Sequence, residues 1–188
     1  MIDIHILVHS AIRKEWSAEC LESLEGQSCC VRVLKGIDGN IGAGRERGYS
    51  LGCNPYVGFI DADDKIRSGF IAETMSQVVS LGCNAAVTLE DWLVRDRIIR
   101  SNMPFHHMLV AKRSAIEYLL PVMRRMPTDV DRVVLRALRP IQLQVSGYVW
   151  RLDGAGSRRF NSKKTLEEEG SHVPLRQIDT SSSAARRV

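Results

Sequence analysis

The stretch Tyr56-Val57-Gly58-Phe59-Ile60-Asp61-Ala62-Asp63-Asp64 is an apolar run that breaks into three carboxylates within four residues. Val57, Phe59 and Ile60 favour extended backbone, and a short apolar run after Asn54-Pro55 reads as a strand inside a sheet. The acids then lie at its carboxyl end, the edge of an open α/β sheet where ligands bind. Carboxylates this close repel one another unless a cation or a proton intervenes. A hard divalent ion such as Mg²⁺ or Mn²⁺ answers that need, because it takes one or two carboxylates and completes its shell with water and phosphate oxygens. The first expectation is therefore a metal–diphosphate site. The plainer alternative is a polar strand-to-helix loop in which Asp63 or Asp64 caps the following helix.

Outward from this stretch the chain alternates strands and helices. Residues 2–8 are mostly apolar and predict an internal strand, with His9, Ser10 and Arg13 in the loop at its carboxyl end. Trp16, Cys20, Leu21 and Leu24 share one helical face, and Gly26 is placed to end that helix. Residues 31–37 alternate as a second strand that runs into Asp38-Gly39-Asn40. Strand, helix and parallel strand make a right-handed crossover unit. Gly39, Gly42, Gly44 and Gly48, with Arg45 and Arg47, predict a glycine-rich loop, but its spacing and its place after the second strand exclude a Rossmann nicotinamide site.

Beyond the acidic strand, Phe70, Ile71, Met75, Val78 and Val79 predict a helix closed by Leu81-Gly82, and residues 84–89 a strand with Glu90-Asp91-Trp92 at its end. Residues 95–102 carry no clear pattern. Residues 105–110 predict a strand, in which His106 and His107 read as strand residues, and 114–123 a helix. Thr128 is placed to cap a helix whose buried face is Val130, Val133, Val134, Ala137 and Leu138, with Asp129 and Asp131 in its first turn. Residues 142–151 alternate as a last strand, and Gly154-Ala155-Gly156-Ser157 ends it in a loop.

The 188 residues suit one domain, placed at 1–160, followed by a polar, basic segment at 161–188 that cannot bury much surface. Hydrophobic residues at 44% and charged residues at 26% are ordinary globular values, so neither a fibrous nor a disordered chain is implied. Five cysteines in an odd set without a C-x-x-C pair argue against a zinc site and a disulfide framework. The apolar amino terminus is too short for a signal peptide or a membrane span, which predicts a cytoplasmic, soluble protein. The formal charge of +4 is concentrated toward the carboxyl end, where it allows a polyanionic partner or simple solvation.

The order of these features resembles the GT-A-fold glycosyltransferases, specifically the large inverting family two. The resemblance is carried by Cys20-Leu21-Glu22-Ser23-Leu24-Glu25-Gly26-Gln27, Ile37-Asp38-Gly39, Gly44-Arg45-Glu46-Arg47-Gly48, Phe59-Ile60-Asp61-Ala62-Asp63-Asp64, Met108 to Ala115, Thr128-Asp129-Val130-Asp131 and Tyr148-Val149-Trp150-Arg151, collinear over about residues 2 to 158. Glu46 stands where the family carries asparagine, the turn after Asp38 is short, and Asp153 occupies the place of a late histidine ligand, for which His172 is a substitute.

The resemblance implies a mostly parallel central sheet flanked by helices. It further implies transfer, with inversion, of a sugar from a nucleotide-sugar donor, most often a uridine diphosphate sugar, to a hydroxyl acceptor. It places His9, Ser10, Asp38, Arg45, Asp61 and Ala62 on the donor, and Asp61, Asp63 and Asp64 around Mn²⁺ or Mg²⁺. Glu90 and Asp91 face the acceptor, and Asp129 or Asp131 takes the acceptor's proton. The acceptor stays open among glycan, lipid, protein and modified nucleic acid. Two rival classes share the features: a nucleotidyltransferase, for which His9-Ser10-Ala11-Ile12-Arg13 is a poor phosphate loop, and a non-catalytic nucleotide-sugar-binding module.

Overall fold

The computed structural model describes residues 1–153, apart from the side chains of residues 105 and 106. The Gly154 to Ser157 loop, the polar segment from Asn161 and His172 lie outside the described residues. The central strands form where the apolar runs are: β1 (Ile2–Val8), β2 (Cys30–Lys35) and β3 (Tyr56–Asp61), with β2 and β3 both pairing parallel to β1. Helix α1 (Lys14–Ser23) supplies the crossover from β1 to β2. A two-residue strand β4 (Lys65–Ile66) and helix α3 (Phe70–Leu81) follow, and Gly82 at φ +61° ends α3 as its sequence predicts.

Strands β5 (Ala85–Val94) and β6 (Arg97–Lys112) form one long hairpin, the longest departure from expectation. Its turn is Arg95-Asp96, both at positive φ, the geometry that a two-residue hairpin needs to match strand twist. After β6 the chain makes α4 (Arg113–Ile116), a 3₁₀ turn at Glu117–Leu119 and α5 (Leu120–Met123), so the single helix expected at 114–123 is broken. Helix α6 (Val130–Leu138) starts from Asp129, which sits in the left-handed region at φ 57° without a side-chain cap, so Thr128 is not the cap. The expected last strand divides into β7 (Ile141–Gln142) and β8 (Tyr148–Arg151), although Leu143 and Val145 still bond to β5 through their backbones.

The sheet runs β2-β1-β3-β6-β5-β8-β4, with β7 beside β5. Four ladders are parallel and three, all involving β6 or β4, are antiparallel. Each face is covered. Ile2, Ile4 and Ile6 pack with Cys20 and Leu24 of α1 and Phe70, Ile71 and Val78 of α3. On the other face Val57, Phe59 and Leu109 pack with Tyr49, Ile116, Met123, Val130 and Val134. Residues of opposite strand parity fill opposite cores, which is why these strands are apolar at nearly every position. No helix among the described residues is long and apolar enough to cross a membrane.

The expected glycine-rich loop is instead a helix, α2 (Ile41–Ser50). Its glycines face neighbours too close to admit a side chain: a Cβ at Gly42 would lie 2.1 Å from the carbonyl oxygens of Met123 and Met126, and one at Gly48 would lie 2.4 Å from the His5 ring. Low helix propensity is overridden here by close packing. The first backbone donors of α2 are already taken, by Pro127 O for Ile41, Met126 O for Gly42 and the Asn40 side chain for Ala43. This helix start is therefore not a phosphate cradle.

Candidate functional site

Three parallel strands deliver polar residues to one edge of the sheet. His9 and Ser10 follow β1, Asp38 follows β2, and Asp61 ends β3. Ser10 and Asp38 are exposed, and His9 is half-buried, its Nδ1 3.0 Å from where a Cβ on Gly36 would stand. The missing side chain at Gly36 lets the imidazole lie against the β2 end. Ala62, at 1% exposure, belongs to the core and presents no side chain to this edge.

Asp61 anchors the site. Arg45, reaching up from α2, donates from Nη2 to Asp61 Oδ1 at 2.6 Å, and its Nε lies 3.5 Å from Asp131 Oδ1 at the start of α6. The guanidinium rests on the Phe59 ring, 3.4 Å from its centroid, and Arg45 is 3% exposed while both aspartates are one-third exposed. Burial pushes the Asp61 carboxyl up, but the Arg45 charge, aided by His107 and His9, outweighs it and holds the group below the ordinary carboxylate range. Asp129 stands apart, with its side chain 60% exposed and Arg132 4.0 Å away.

Asp64, three residues on, is the opposite case. It is 2% exposed, Oδ2 accepts from the Tyr148 hydroxyl at 2.6 Å, and Oδ1 accepts from the Arg151 backbone at 2.8 Å. Burial, with the charges of Asp63 and Asp61 beside it, holds this carboxyl well above the ordinary range. The Arg151 side chain fixes the same turn: Nε donates to Asp63 O at 2.9 Å and Nη2 to Glu19 of α1 at 2.9 Å. The adjacent acids thus resolve into one carboxyl held low at the crevice, one held high and tied into the core, and Asp63, half-buried between them.

This partition bears on the expected metal. Among the described residues no three His, Cys, Asp or Glu side chains converge as a metal cage. A cage of Asp61, Asp63 and Asp64 does not fit, because both oxygens of Asp64 are engaged in the interior. A seat of one or two carboxylates, completed by substrate phosphate, does fit, and it is the arrangement Mg²⁺ commonly adopts.

The far half of the edge is built by β5, β6 and β8. Glu90, expected to face the acceptor, is 1% exposed; its Oε2 lies 2.7 Å from His107 Nδ1 and its Oε1 accepts from Trp92 Nε1 at 2.8 Å. Glu90 therefore acts only through its neighbours. Asp91 accepts from the Asn102 backbone at 3.0 Å, holding the hairpin. The His107 ring stacks on Trp150, with centroids 4.3 Å apart, and Trp92 meets Trp150 edge-on at 5.7 Å. Sequence reasoning read His107 as a strand residue and not as a site residue, and it took Tyr148 and Arg151 only as a strand motif. The pairing of a buried-side glutamate with a histidine seventeen positions away had no local signal; the alternation of Tyr148 and Trp150 on one face was the only hint.

No protein-family model matches the chain, and no curated protein matches its sequence. Solved structures do match. The crystal structure of S. aureus TarS 1-349 superposes at a TM-score of 0.60 with 12% identity, over 80% of this chain and 60% of that one. The same fragment with UDP gives 0.63 at 11% identity, over 80% and 60%, and with UDP-GlcNAc 0.61 at 11%, over 80% and 58%. This chain spans about three-fifths of those chains. At such identity the likeness is one of fold, and the fold is that of the GT-A glycosyltransferases: a mixed sheet, parallel through β2, β1 and β3, with helices on both faces.

Proposed function

We propose that the chain is a glycosyltransferase that binds a nucleotide-sugar donor, a uridine diphosphate sugar by preference, and passes the sugar to a hydroxyl acceptor with inversion. The observation that carries the reading is the Asp61–Arg45–Asp131 chain at the carboxyl ends of parallel strands, in a fold whose solved neighbours hold UDP and UDP-GlcNAc. In this reading His9, Ser10 and Asp38 meet the nucleoside, for which an exposed carboxylate is a suitable acceptor of base or ribose protons. Asp61 receives the ribose, and Arg45 fixes its charge and direction. Asp63 would hold a divalent ion, Mn²⁺ or Mg²⁺, together with the substrate diphosphate, and such an ion would supply charge neutralisation for the leaving group.

The two acids named for the acceptor's proton enter unequally. Asp131 joins the site through Arg45, whereas Asp129 is largely exposed beside Arg132. A second reading, a module that binds the sugar nucleotide without transfer, is favoured by the burial of Arg45, whose charge is turned to Asp61 and Asp131. Titration calorimetry with UDP, with and without Mn²⁺, tests binding. Release of UDP from sugar nucleotides tests turnover, and the anomeric configuration of the product tests inversion. Uptake of UDP without any turnover selects the second reading; absence of uptake with either ion removes both.

A further inference from the structure

Strand β6 is irregular where it passes the crevice. Ala111, Val110 and Leu109 pair in step with Ala85, Ala86 and Val87, but the next partners are Leu89 and Pro104. Between these pairs β6 advances five residues and β5 two, so β6 carries three extra residues there. On its other side the ladder to β3 ends at Gly58 and Val110, short of Asp61. His107 sits in this bulged length. Bulges re-aim side chains and are enriched beside active sites. Here the re-aimed ring meets Glu90 at 2.7 Å and stacks on Trp150, and its charge is felt by Asp61.

We infer that Glu90 and His107 form an acid–base couple on the acceptor side of the crevice, in which Glu90 holds the Nδ1 proton of His107 and His107 takes the attacking hydroxyl's proton at Nε2. A carboxylate bonded to one ring nitrogen fixes the tautomer and turn of an imidazole and stabilises the imidazolium once it forms. Glu90 is suited to this, being almost fully buried and steadied by the Trp92 indole. As the acceptor oxygen bonds to the anomeric carbon, the bond from that carbon to the diphosphate breaks and the diphosphate leaves with the electron pair. The hydroxyl proton passes to His107, and the positive charge is met by Glu90. Asp131 is less suited, since its carboxylate already faces Arg45, and Asp129 lies exposed beside Arg132. His107 is the catalytic residue of this couple and Glu90 the positioning residue.

The inference rests on the glycosyltransferase reading, so its test separates the two. The full chain is assayed for UDP release from UDP-GlcNAc and UDP-glucose, with water as acceptor, across pH, and UDP affinity is measured by calorimetry. His107→Gln is expected to lower the rate at saturating donor about a hundredfold, the lower range for general-base catalysis, with UDP affinity kept within about twofold. Glu90→Gln is expected to lower the rate about tenfold and to move the acidic limb of the pH profile to lower pH, because the imidazolium loses its counter-charge. A structural role would leave that limb in place. Retained UDP affinity with an unchanged rate in His107→Gln, or an unmoved limb in Glu90→Gln, overturns the inference and leaves the donor site standing. A wild-type chain that binds UDP but turns over neither sugar nucleotide overturns it too, and one that binds no UDP removes the function beneath it.

Discussion

The two ends of the central strands carry the same charged chemistry with the signs exchanged. At the amino end of β1, Asp3 lies between two arginines; at the carboxyl end of β3, Arg45 lies between two aspartates. The lower cluster is closed. Asp3 is fully buried, and its oxygens accept from Arg32 Nε at 3.1 Å, Arg113 Nη2 at 2.7 Å and the Asn54 backbone at 2.9 Å. Arg113 spends its remaining donors on Asn54 O at 2.9 Å and Tyr49 O at 2.7 Å. The upper cluster is open. Arg45 makes one short bond, its Nη1 has no hydrogen-bond partner among the described residues, and its two aspartates face outward by a third of their surface. A cluster that serves stability is saturated internally, whereas one that serves a ligand keeps its carboxylates presented and its cation only partly satisfied.

The strongest way to break this contrast is at the closed end. Asp3→Ala empties a fully buried site and strands two half-buried arginines, and urea unfolding is expected to show a loss of about 3 kcal/mol; a loss under about 1 kcal/mol would mean that the cluster is not structural. Next comes Gly42→Ala. Its Cβ would meet two backbone carbonyls that cannot step aside, so α2 must shift at a cost of about 1–3 kcal/mol. Because α2 carries Arg45, calorimetry on the same variant should also show weaker UDP binding.

The acids of the β3 turn give a pH test of opposite signs. Asp64 has a raised folded value, so its contribution to stability is complete below the ordinary carboxylate range and is lost as pH rises toward the raised value, at up to about 1.4 kcal/mol per pH unit. Asp61 has a lowered value, so its contribution is present above the ordinary range and is lost as pH falls through the lowered value. Asp64→Asn should flatten the first slope in unfolding curves across pH and leave the second. The smallest stability effect is expected of Asp61→Asn, about 1 kcal/mol, because the amide oxygen can keep the Arg45 hydrogen bond and Asp131 still faces that buried guanidinium, while its UDP affinity drops about tenfold. A larger loss of stability than of affinity would assign the upper cluster to the fold.

Much of this was legible in the residues. The strands β1 and β3 and the helix α3 declare themselves by apolar runs and by Gly82, and the acidic turn after Phe59-Ile60 was visible as a place of charge conflict. The way that conflict is settled was not, since the groups that tie Asp64 into the core lie more than eighty positions away, at Tyr148 and Arg151. Helix α2 was hidden by glycines whose purpose is contact with Met123, Met126 and His5, a tertiary demand that no local rule contains. The long hairpin was hidden because Arg95-Asp96 makes a turn usually marked by Asn-Gly.

Strand β6 joins the two halves of the sheet, pairing with β3 on one side and β5 on the other. The Asp61–Arg45–Asp131 group is held by β3, α2 and α6, whose ladder and core contacts with β6 begin at Leu109. Adding or deleting a residue between Pro104 and Leu109 would swing the imidazole away from Glu90 and change what it contributes to the ionised form of Asp61. The length of one bulge in one strand thus sets where a single ring stands between two carboxylates that belong to different parts of the sheet.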